Sequence, residues 1–444
     1  MPLAGAEPPD LARICRPRFP ALELRVNGHP AAFFDGPGGT QVPDTVIAAI
    51  TDYLKEKNSN THGHFATSRA TEGVIRGARQ AMADFLGADP EEIAFGANMT
   101  TLNFALSRAL ARDLAPGDEV VVTDLDHEAN ISPWRALEEQ GVVVRAVRVI
   151  SPRCTLDMDH LASLMGPRTR VLAIGYASNA VGTINNVQEA IRLARQVGAT
   201  TVVDAVHYAP HGPIDCHSLG ADFLVCSAYK FFGPHVGVLY GRREAFARLK
   251  TYRVRPQSAE PPEKIETGTL NHEGLAGITA AADFIAWLGE QVAGHPLSRQ
   301  PAAGEPAAAR PAAGQPVSGQ PASGRRRAIL RAMAAIEEYE GMLARRLLEA
   351  LADLPGITVY GPGAEERRTP TVSFTVAGHH PARVAAYLGS RGLFVWAGDF
   401  YATTLVERLG LHDSGGLVRV GMAPYNTPEE VERLVAALTS YLAA

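Results

Sequence analysis

Between residues 45 and 239 the sequence alternates apolar, β-branched runs with amphipathic helical stretches. The apolar runs predict the strands Glu119–Thr123, 142–149, 171–176, 201–204 and Phe223–Ser227. The intervening stretches predict the helices 73–86, 100–112, 133–139 and Val187–Gln196. Near-continuous apolar strands separated by helices indicate a mostly parallel sheet that is covered on both faces. Ligands of such sheets gather beyond the carboxyl ends of the strands, so functional residues are expected in the loops that follow them.

A break in composition separates a second unit from the first. Residues 300–324 repeat with a five-residue period, as QPAAG, EPAAA, RPAAG, QPVSG and QPASG, which predicts a disordered insertion. Helical periodicity resumes over 327–351, and an α+β pattern follows with strands 372–376 and Leu417–Gly421 and helices Pro381–Gly389 and Pro428–Leu442. We therefore expect an N-terminal arm (1–30), a large domain (31–291), the insertion (292–326) and a small C-terminal domain (327–444).

Composition narrows the classes of partner. A formal net charge of -5 over 444 residues, without long runs of one sign, argues against nucleic acid or an anionic membrane as a partner. The four cysteines are scattered without a CxxC pair, so neither a disulfide framework nor a metal site is expected. No apolar segment suits a signal peptide or a membrane span. These features predict a cytoplasmic protein that acts on a small molecule.

One of the five lysines differs from the others in its setting. Lys230 follows the apolar run DFLVCS and precedes FFGP, whereas Lys55, Lys57, Lys250 and Lys264 lie in charged or helical contexts typical of a surface. Desolvation lowers the pKa of an ammonium group and yields the free amine that a Schiff base requires. Lys230 therefore fits either a Schiff-base lysine or a buried lysine that pairs with a carboxylate.

Other polar residues follow strands at the same edge of the predicted sheet. Asp204 ends the run TVVD, where it fits either a helix cap or a carboxylate that keeps a pyridine nitrogen protonated. His127 follows another strand and fits either a solvated loop or a ring that stacks on an aromatic ligand. The segment GANMTT at 96–101 leads into a helix, whose first N–H groups could bind a phosphate.

Taken in order, these motifs resemble those of the cysteine desulfurases and their relatives in the class V aminotransferase family. The resemblance covers residues from about 33 to 444, apart from the insertion. FDGPGG (34–39) is similar to the family's LDNAAT, HEANISPW (127–134) to HHANxxPW, SNAVG (178–182) to SNVLG, DAVH (204–207) to DGAQ, and SAYK (227–230) to SGHK. The resemblance implies the pyridoxal 5'-phosphate (PLP) transferase fold, known as fold type I or aspartate aminotransferase-like, with a mostly parallel seven-stranded sheet in the large domain.

The resemblance also implies roles around PLP. Lys230 would carry the cofactor and move protons, His127 would stack on the pyridine ring, and Asp204 would pair with the ring nitrogen. Asn179 and His207 would approach the phenolic oxygen, although the family usually has Gln at the position of His207. The phosphate would be surrounded by Asn98, Met99, Ser227 and Tyr229, with Tyr229 in place of the usual His.

Two further residues extend the implied site. Thr269, in the segment ETGT, resembles the residue that reaches the phosphate of the partner subunit, so the resemblance implies a homodimer. Arg419 would bind a substrate carboxylate through two parallel hydrogen bonds. Without the family resemblance, Arg419 is simply a strand arginine, which more often forms a surface salt bridge.

The sequence departs from the family in one loop. Desulfurases carry a cysteine there, in a segment resembling RTGHHC, and this chain has WAGDFY at 396–401, with Tyr401 at the cysteine position and Trp396 at the arginine position. Because a phenol cannot accept sulfur as a thiolate does, sulfur transfer through a persulfide is not expected. Cys226 adjoins the site in sequence, but strand alternation turns it away from Ser227. If the loop folds inward, its aromatic residues indicate an apolar, aromatic substrate pocket.

Several functions stay compatible with these residues. An amino acid that loses its Cα proton can be transaminated, epimerised or cleaved by loss of a β-substituent, and we favour a C–S lyase or an aminotransferase. The alternative is a catalytically silent relative that serves as a binding or scaffold protein. A Rossmann dehydrogenase has similar strand and helix alternation, but the sequence lacks a convincing GxGxxG turn after the first strand.

Overall fold

The computed structural model describes residues 8–295 and 323–443. Its strands are β1 (Arg25–Val26), β2 (His29–Pro30), β3 (Ala32–Phe33), β4 (Ile93–Gly96), β5 (Glu119–Thr123), β6 (Val143–Val147), β7 (Val149–Ile150), β8 (Thr155–Leu156), β9 (Thr169–Gly175), β10 (Thr200–Asp204), β11 (Phe223–Ser227), β12 (Gly237–Gly241), β13 (Ile357–Tyr360), β14 (Thr371–Val376), β15 (Leu393–Phe394), β16 (Trp396–Gly398) and β17 (Leu417–Gly421). The run 142–149, predicted as one strand, is divided between β6 and β7.

The helices alternate with the strands of the first unit and flank those of the second. They are α1 (Leu11–Cys15), α2 (Asp44–Glu56), α3 (Ala66–Leu86), α4 (Met99–Ala111), α5 (Ser132–Arg135), α6 (Met158–Leu164), α7 (Val187–Gln196), α8 (Cys216–Leu219), α9 (Arg243–Arg248), α10 (His272–Gln291), α11 (Gly324–Ala352), α12 (Pro381–Gly389), α13 (Thr403–Arg408) and α14 (Pro428–Leu442). The helix predicted over 133–139 is the short α5 followed by a 3-10 helix, Ala136–Gln140.

The large sheet has seven strands in the order β4-β12-β11-β10-β9-β5-β6, which confirms the predicted mostly parallel sheet. Strand β12 is antiparallel to both of its neighbours, and the other neighbouring pairs are parallel. The carboxyl ends of six strands therefore meet at one edge. Asp204 at the end of β10 lies opposite Gly175 of β9 and Val225 of β11, so the register brings three strand ends side by side.

Helices cover both faces of this sheet because its strands are apolar on both faces. In β11, Leu224 and Cys226 belong to the larger of two buried apolar clusters, whereas Phe223 and Val225 belong to the other cluster. Ser227 accepts a hydrogen bond from the backbone of α4, on the second of these faces. The structure therefore confirms that Cys226 and Ser227 point to opposite sides of the sheet.

A second, antiparallel sheet has the order β13-β14-β17-β16 and packs against α11, α12 and α14. Helix α11 begins at Gly324, earlier than the predicted start at Arg327, because Ser323 caps it by accepting from the Arg326 amide. Arg326 was assigned to the insertion but is buried, and its guanidinium donates to carbonyl oxygens that include that of Phe85. Residues 296–322, which include most of the predicted disordered repeat, lie outside the described residues.

The N-terminal arm contacts both units. Phe19 makes edge contacts with Phe284 of α10 and with Tyr425, which precedes α14. Arg16 forms an ion pair with Glu430 at 2.7 Å. Among the described residues, no helix is long and apolar enough to cross a membrane.

Candidate functional site

The candidate site lies at the edge of the large sheet where the parallel strands end. Lys230 closes a 3-10 helix that directly follows β11, and Asp204 is the last residue of β10. His127 follows β5, and Asn179 follows β9. Because these strands are neighbours in the sheet, residues that are up to about a hundred positions apart in sequence come together, as the sequence predicts.

Lys230 is buried, with 9 % of its surface exposed. The pKa of its amine is lowered from 10.5 to about 7, chiefly by burial and then by the positive charge of Arg419, against the opposing effects of Asp204 and Asp35. Its Nζ donates to the Pro37 carbonyl and lies 4.9 Å from the centroid of the Tyr229 ring. The sequence left two alternatives for Lys230, a desolvated Schiff-base lysine and a buried lysine paired with a carboxylate. In the structure its amine is desolvated and has no direct carboxylate partner among the described residues.

Lys230 is not the only buried lysine, which corrects one expectation from the sequence. Lys264 has 7 % of its surface exposed, although its position in the segment PPEKIE is typical of a surface residue. Its Nζ donates to the Ala247 carbonyl at 2.9 Å, and burial lowers its pKa. Lys264 is therefore a control for Lys230 that shows what burial of a lysine does away from the candidate site.

Two buried carboxyl groups, Asp204 and Asp126, lie at the carboxyl edge of the sheet. Burial raises the pKa of Asp204 to about 7, and its Oδ1 accepts from the Val206 amide at 2.9 Å. Burial also raises the pKa of Asp126, to about 6, and its Oδ2 accepts from the Gly175 amide and from Asn130 Nδ2. Asp126 was not predicted from the sequence, although it follows β5 in the same segment as His127.

His127 is neutral at physiological pH. Burial lowers its pKa to about 4, with further contributions from the charges of Lys230 and Arg419. Its Nδ1 accepts from the Ala129 amide at 3.0 Å, so the neutral ring carries its proton on Nε2. The ring stacks on Tyr401 with centroids 5.4 Å apart.

The start of α4 forms the end of the site nearest β12. Asn98 caps this helix by accepting from the Thr101 amide at 2.9 Å, and the Met99 amide donates to Ser227 Oγ at 3.0 Å. A Cβ on Gly237 would lie 2.4 Å from the Asn98 carbonyl carbon, so only glycine permits β12 to approach this closely. Tyr229 stacks on His235 with centroids 4.9 Å apart.

Arg419 lies on β17 of the small sheet and reaches the large sheet. Its Nη1 donates to the Asn179 carbonyl at 3.0 Å, while its Nε and the Asn179 Oδ1 are buried without a hydrogen-bond partner among the described residues. Burial lowers the pKa of Arg419 to about 9, opposed by the charge of Asp35. The surface salt bridge that the sequence left open is excluded, because Arg419 is buried.

His207 is held by residues of the second unit. Its Nε2 lies 3.1 Å from Thr369 Oγ1 and 3.0 Å from Thr371 Oγ1. Burial lowers its pKa well below the usual value, so the ring is neutral. Its neighbour His211 contacts Glu340 of α11 at 2.7 Å, a second polar link between the units that no pattern in the sequence predicts.

The loop formed by residues 396–401, which we call the aromatic loop, folds against the site. The Phe400 ring lies 4.2 Å from the Arg419 guanidinium carbon, and the Phe400 carbonyl accepts from Asn179 Nδ2 at 2.9 Å. Phe400 and Tyr401 both have positive φ angles, of 58° and 57°, which side-chain-bearing residues rarely adopt. Trp396 and Tyr401 stay 51 % and 71 % exposed, whereas Phe400 is partly buried and forms the aromatic wall beside Arg419.

Thr269 lies apart from this group, on an exposed loop. The cysteines also lie away from reactive positions: Cys15, Cys154, Cys216 and Cys226 are all buried. Burial raises the pKa of each thiol, to about 11 in the case of Cys154. A thiolate nucleophile is therefore disfavoured at every cysteine of the chain.

These residues fit PLP. The cofactor needs an amine that is neutral near pH 7, and Lys230 provides one; it needs an acid for its ring nitrogen, and Asp204 ends the neighbouring strand. Its phosphate needs N–H donors, which the start of α4 offers. The unpartnered Asn179 Oδ1 and Arg419 Nε supply further polar atoms for a ligand, because buried polar atoms without partners are costly in a ligand-free protein.

Comparison with known proteins agrees with this geometry. The sequence matches the family model of class-V aminotransferases over residues 32–297 and 329–434. It is 30 % identical over 440 residues to a cysteine desulfurase of Pectobacterium carotovorum, covering 95 % of this chain and 96 % of that protein. It is 34 % identical over 443 residues to an aminotransferase-like protein of Gibberella zeae, covering 96 % and 97 %.

Another relative is longer. A protein named "Probable cysteine desulfurase" from Mycolicibacterium paratuberculosis is 32 % identical over an alignment of 445 positions, which spans 97 % of this chain and 58 % of that protein. The chain thus spans just over half the length of that relative.

Solved structures give the same result. The apo cysteine desulfurase of Thermococcus onnurineus NA1 superposes with a TM-score of 0.81 at 26 % identity, covering 99 % of this chain and 100 % of that chain. A cysteine desulfurase of Escherichia coli gives a TM-score of 0.78 at 26 % identity, covering 97 % and 98 %. These likenesses confirm the predicted PLP fold type I. The chain belongs to the class V aminotransferase family and is a PLP-dependent enzyme of that family.

Proposed function

We propose that this enzyme acts at the Cα atom of an amino acid whose carboxylate binds Arg419, and that it does so without a persulfide cysteine. The observation that carries the proposal is the buried Lys230 amine with a pKa of about 7, within electrostatic reach of Asp204 and Arg419. Lys230 is thus neutral in part at physiological pH, and a neutral amine can both bind the cofactor and accept a proton.

Different residues would contact the ring, the phenolic oxygen and the phosphate of the cofactor. Lys230 would hold it through Nζ, Asp204 would hold a proton at the ring nitrogen, and His127 would pack against the ring. Asn179 and His207 would lie near the phenolic oxygen. The phosphate would bind at Asn98, Met99, Ser227 and Tyr229, with Thr269 supplied by a partner subunit. When bound, PLP supplies an electron-withdrawing ring that stabilises negative charge at Cα.

The side chains of the chain would then bind the substrate and move its proton. Arg419 presents an unpartnered Nε, while its Nη1 is held by the Asn179 carbonyl and one face is covered by Phe400. The edge of the guanidinium is left for a carboxylate, which binds best in that plane. The Lys230 amine would take the Cα proton and later return it at the position that decides the product.

Two features of the chain disfavour a route through a persulfide. Tyr401 stands at the cysteine position of the related desulfurases, and the four cysteines are buried with raised pKa values. A C–S lyase releases sulfide and an aminotransferase releases none, and neither needs a thiolate on the protein. We therefore propose β-elimination or amino transfer as the reaction.

Two variants and a substrate panel test the proposal. Lys230→Ala should abolish the visible absorption band of the lysine-bound cofactor, whereas Lys264→Ala, the other buried lysine, should keep it. The wild-type enzyme is then incubated with cysteine, cystine and aromatic amino acids. Keto acid with equimolar ammonia, and sulfide from cysteine, indicates the lyase; keto acid without ammonia, with the cofactor converted to its amine form, indicates the aminotransferase.

Two results would contradict the proposal. The first is an unchanged visible band in Lys230→Ala. The second is a cofactor spectrum that responds to none of the amino acids in the panel, which would favour the catalytically silent binding protein. Sulfane sulfur covalently attached to a cysteine after incubation with cysteine would overturn the exclusion of the persulfide route.

We further propose a homodimer in which Thr269 contacts the phosphate bound to the partner subunit. The exposed position of Thr269 supports this role, as do the exposed side chains of Phe65, Tyr252 and Val254, at 55 %, 64 % and 59 %. The hydrodynamic mass should be about twice the 47.3 kDa of the chain. Thr269→Ala should weaken cofactor binding without changing that mass; a fully active monomer would remove the role.

A further inference from the structure

A cavity of about 230 Å³ opens beside Tyr229, the residue that precedes Lys230 in the chain. We call it the Asp35 pocket; its lining includes Asp35, Gly39, Tyr229, Pro234, His235 and Trp396. The Pro37 carbonyl, which accepts the Lys230 amine, belongs to the same segment as Asp35 and Gly39. Asp35 also lies within electrostatic reach of Arg419 and Lys230, so the pocket adjoins the residues to which the proposed function assigns the amino acid.

Asp35 is the acid of this pocket. Its Oδ1 is buried and has no hydrogen-bond partner among the described residues, and no ion pair joins its carboxylate to a described cation. Burial raises its pKa to about 6, against the opposing charges of Arg419 and Lys230, so it is ionised at neutral pH. Burying an ionised carboxylate with an unpartnered oxygen raises the free energy of the folded protein, and a ligand that pairs with this oxygen lowers it again.

The other lining side chains suit a cation. None of the lining residues is a lysine or an arginine, while Tyr229 and Trp396 contribute aromatic surface. Gly39 packs closely on the Tyr229 ring, where a Cβ would lie 3.2 Å from Cδ2, and Gly38 packs on Trp396, where a Cβ would lie 2.7 Å from Nε1. A carboxylate flanked by aromatic rings attracts ammonium and guanidinium groups.

Charge balance favours a cation further once the site is loaded. The inference rests on the proposed function, in which a substrate carboxylate pairs with Arg419. The charge of Arg419 is the larger of the two cationic influences on Asp35 in the free protein. Once a carboxylate neutralises that charge, Asp35 has less compensation inside the protein, and a cationic group of the substrate would supply it.

We propose that the Asp35 pocket binds a cationic group on the side chain of the amino-acid substrate. At about 30 Å³ for each water-sized group, its volume of about 230 Å³ accommodates about seven non-hydrogen atoms, which suffices for an aminoalkyl or guanidinoalkyl chain. Trp396 is 51 % exposed, so the far end of the pocket is open to longer chains. An anionic side chain is repelled by Asp35, and a neutral one leaves it unpaired.

Binding of substrate analogues to the cofactor-loaded enzyme tests this proposal. The probes are α-methylornithine (cationic), α-methylnorvaline (neutral, with the same carbon chain) and α-methylglutamate (anionic), which have no Cα proton to lose. Dissociation constants are read from the change in the visible absorption of the cofactor at fixed ionic strength. We expect the cationic probe to bind at least about tenfold tighter than the neutral one, with the anionic probe weakest.

Two variants assign the preference to one carboxylate. Asp35→Asn should reduce the ratio between the cationic and neutral probes to about one while it keeps the visible band. Asp44→Asn removes the same charge from the same chain segment, but Asp44 is exposed and accepts from Arg18, so it should keep the ratio. The wild-type measurement needs no variant and therefore holds even if Asp35→Asn does not fold.

The outcomes separate this inference from the proposed function. Equal binding of the cationic and neutral probes by wild-type enzyme with an intact visible band overturns the Asp35 pocket alone. A retained preference in Asp35→Asn overturns the role of Asp35. Absence of a lysine-bound cofactor band, by contrast, overturns the proposed function on which the inference rests.

Discussion

The carboxyl edge of the large sheet and the aromatic loop meet at one site, but they are built differently. At the sheet edge, Asp126 accepts from two donors and Ser227 accepts from the α4 backbone, and both residues are buried. In the aromatic loop, two consecutive residues have positive φ angles and two of the three aromatic side chains are half exposed or more. Its first half is β16, and beyond Gly398 the loop keeps its shape through specific hydrogen bonds.

The contacts of the aromatic loop show how it is held. The Glu128 amide donates to the Tyr401 carbonyl at 2.7 Å, and Asp399 accepts from the Tyr401 amide and from Thr403 Oγ1. Backbone strain of this kind persists only where surrounding contacts over-determine it. We infer that the sheet edge decides which cofactor chemistry is available, while the loop and the Asp35 pocket decide which substrate and which product follow.

The largest effect should come from the sheet edge. Asp204→Asn removes the acid proposed for the ring nitrogen, so kcat should fall by about 10²-fold or more. The free energy of unfolding should not fall, because burial already disfavours the ionised carboxylate of Asp204. Steady-state kinetics and urea unfolding measure the two quantities.

Asp126→Asn is the matched control for this variant. It disturbs the acceptor of the Gly175 amide, so it should lower the free energy of unfolding by about 1 kcal/mol and lower kcat far less than Asp204→Asn does. If Asp204→Asn and Asp126→Asn lowered kcat equally, the assignment of Asp204 to catalysis and of Asp126 to stability would be wrong.

The second effect is a pH dependence set by Lys230. A protonated amine cannot bond to the cofactor, and burial places the pKa of Lys230 at about 7. The initial rate at which cofactor-free protein regains the visible band should therefore rise about tenfold from pH 6 to pH 8 and then level off. A rate that continues to climb beyond pH 9 would mean that Lys230 titrates like an exposed lysine.

The same two regions differ in how well the sequence predicts them. Strands Glu119–Thr123 and Phe223–Ser227 and helix Val187–Gln196 agree with the structure at both ends, because buried apolar runs and capped helices leave local patterns. The order of strand ends then brings His127, Asp204 and Lys230 together without further information. The family resemblance adds Arg419, whose contact with the large sheet no local pattern predicts.

What the sequence does not predict depends on contacts between distant segments. The short β3, which precedes Asp35, pairs with β15, so the burial of Asp35 requires the second unit to be in place. Lys264 is buried because a distant carbonyl accepts its ammonium group. The stacking of Phe400 on Arg419 likewise depends on a loop conformation that its sequence does not favour.

The third effect tests the aromatic loop. Phe400→Leu removes the ring from the face of Arg419, and such a contact contributes about 0.5 to 2 kcal/mol, so KM for the amino acid should rise about two- to thirtyfold. The kcat value should change less, because Lys230 and Asp204 are untouched. Tyr401→Leu is the control, since its ring is largely exposed and contacts His127 instead. A larger loss in kcat than in KM would show that the loop takes part in chemistry.

The smallest effect concerns the cysteine nearest the site. Cys226 is buried in the larger apolar cluster, on the face of β11 opposite to Ser227, and burial raises the pKa of its thiol. Cys226→Ala should therefore change kcat by less than about twofold and cost only about 1 kcal/mol of unfolding free energy, as a typical core substitution does. Cys15→Ala, in the N-terminal arm, is the matched control for a buried thiol remote from the sheet edge. A tenfold loss of kcat in Cys226→Ala, with kcat of Cys15→Ala unchanged, would show that a thiol at the sheet edge takes part in the reaction. The proposed separation of cofactor chemistry at the sheet edge from substrate choice at the aromatic loop would then be wrong.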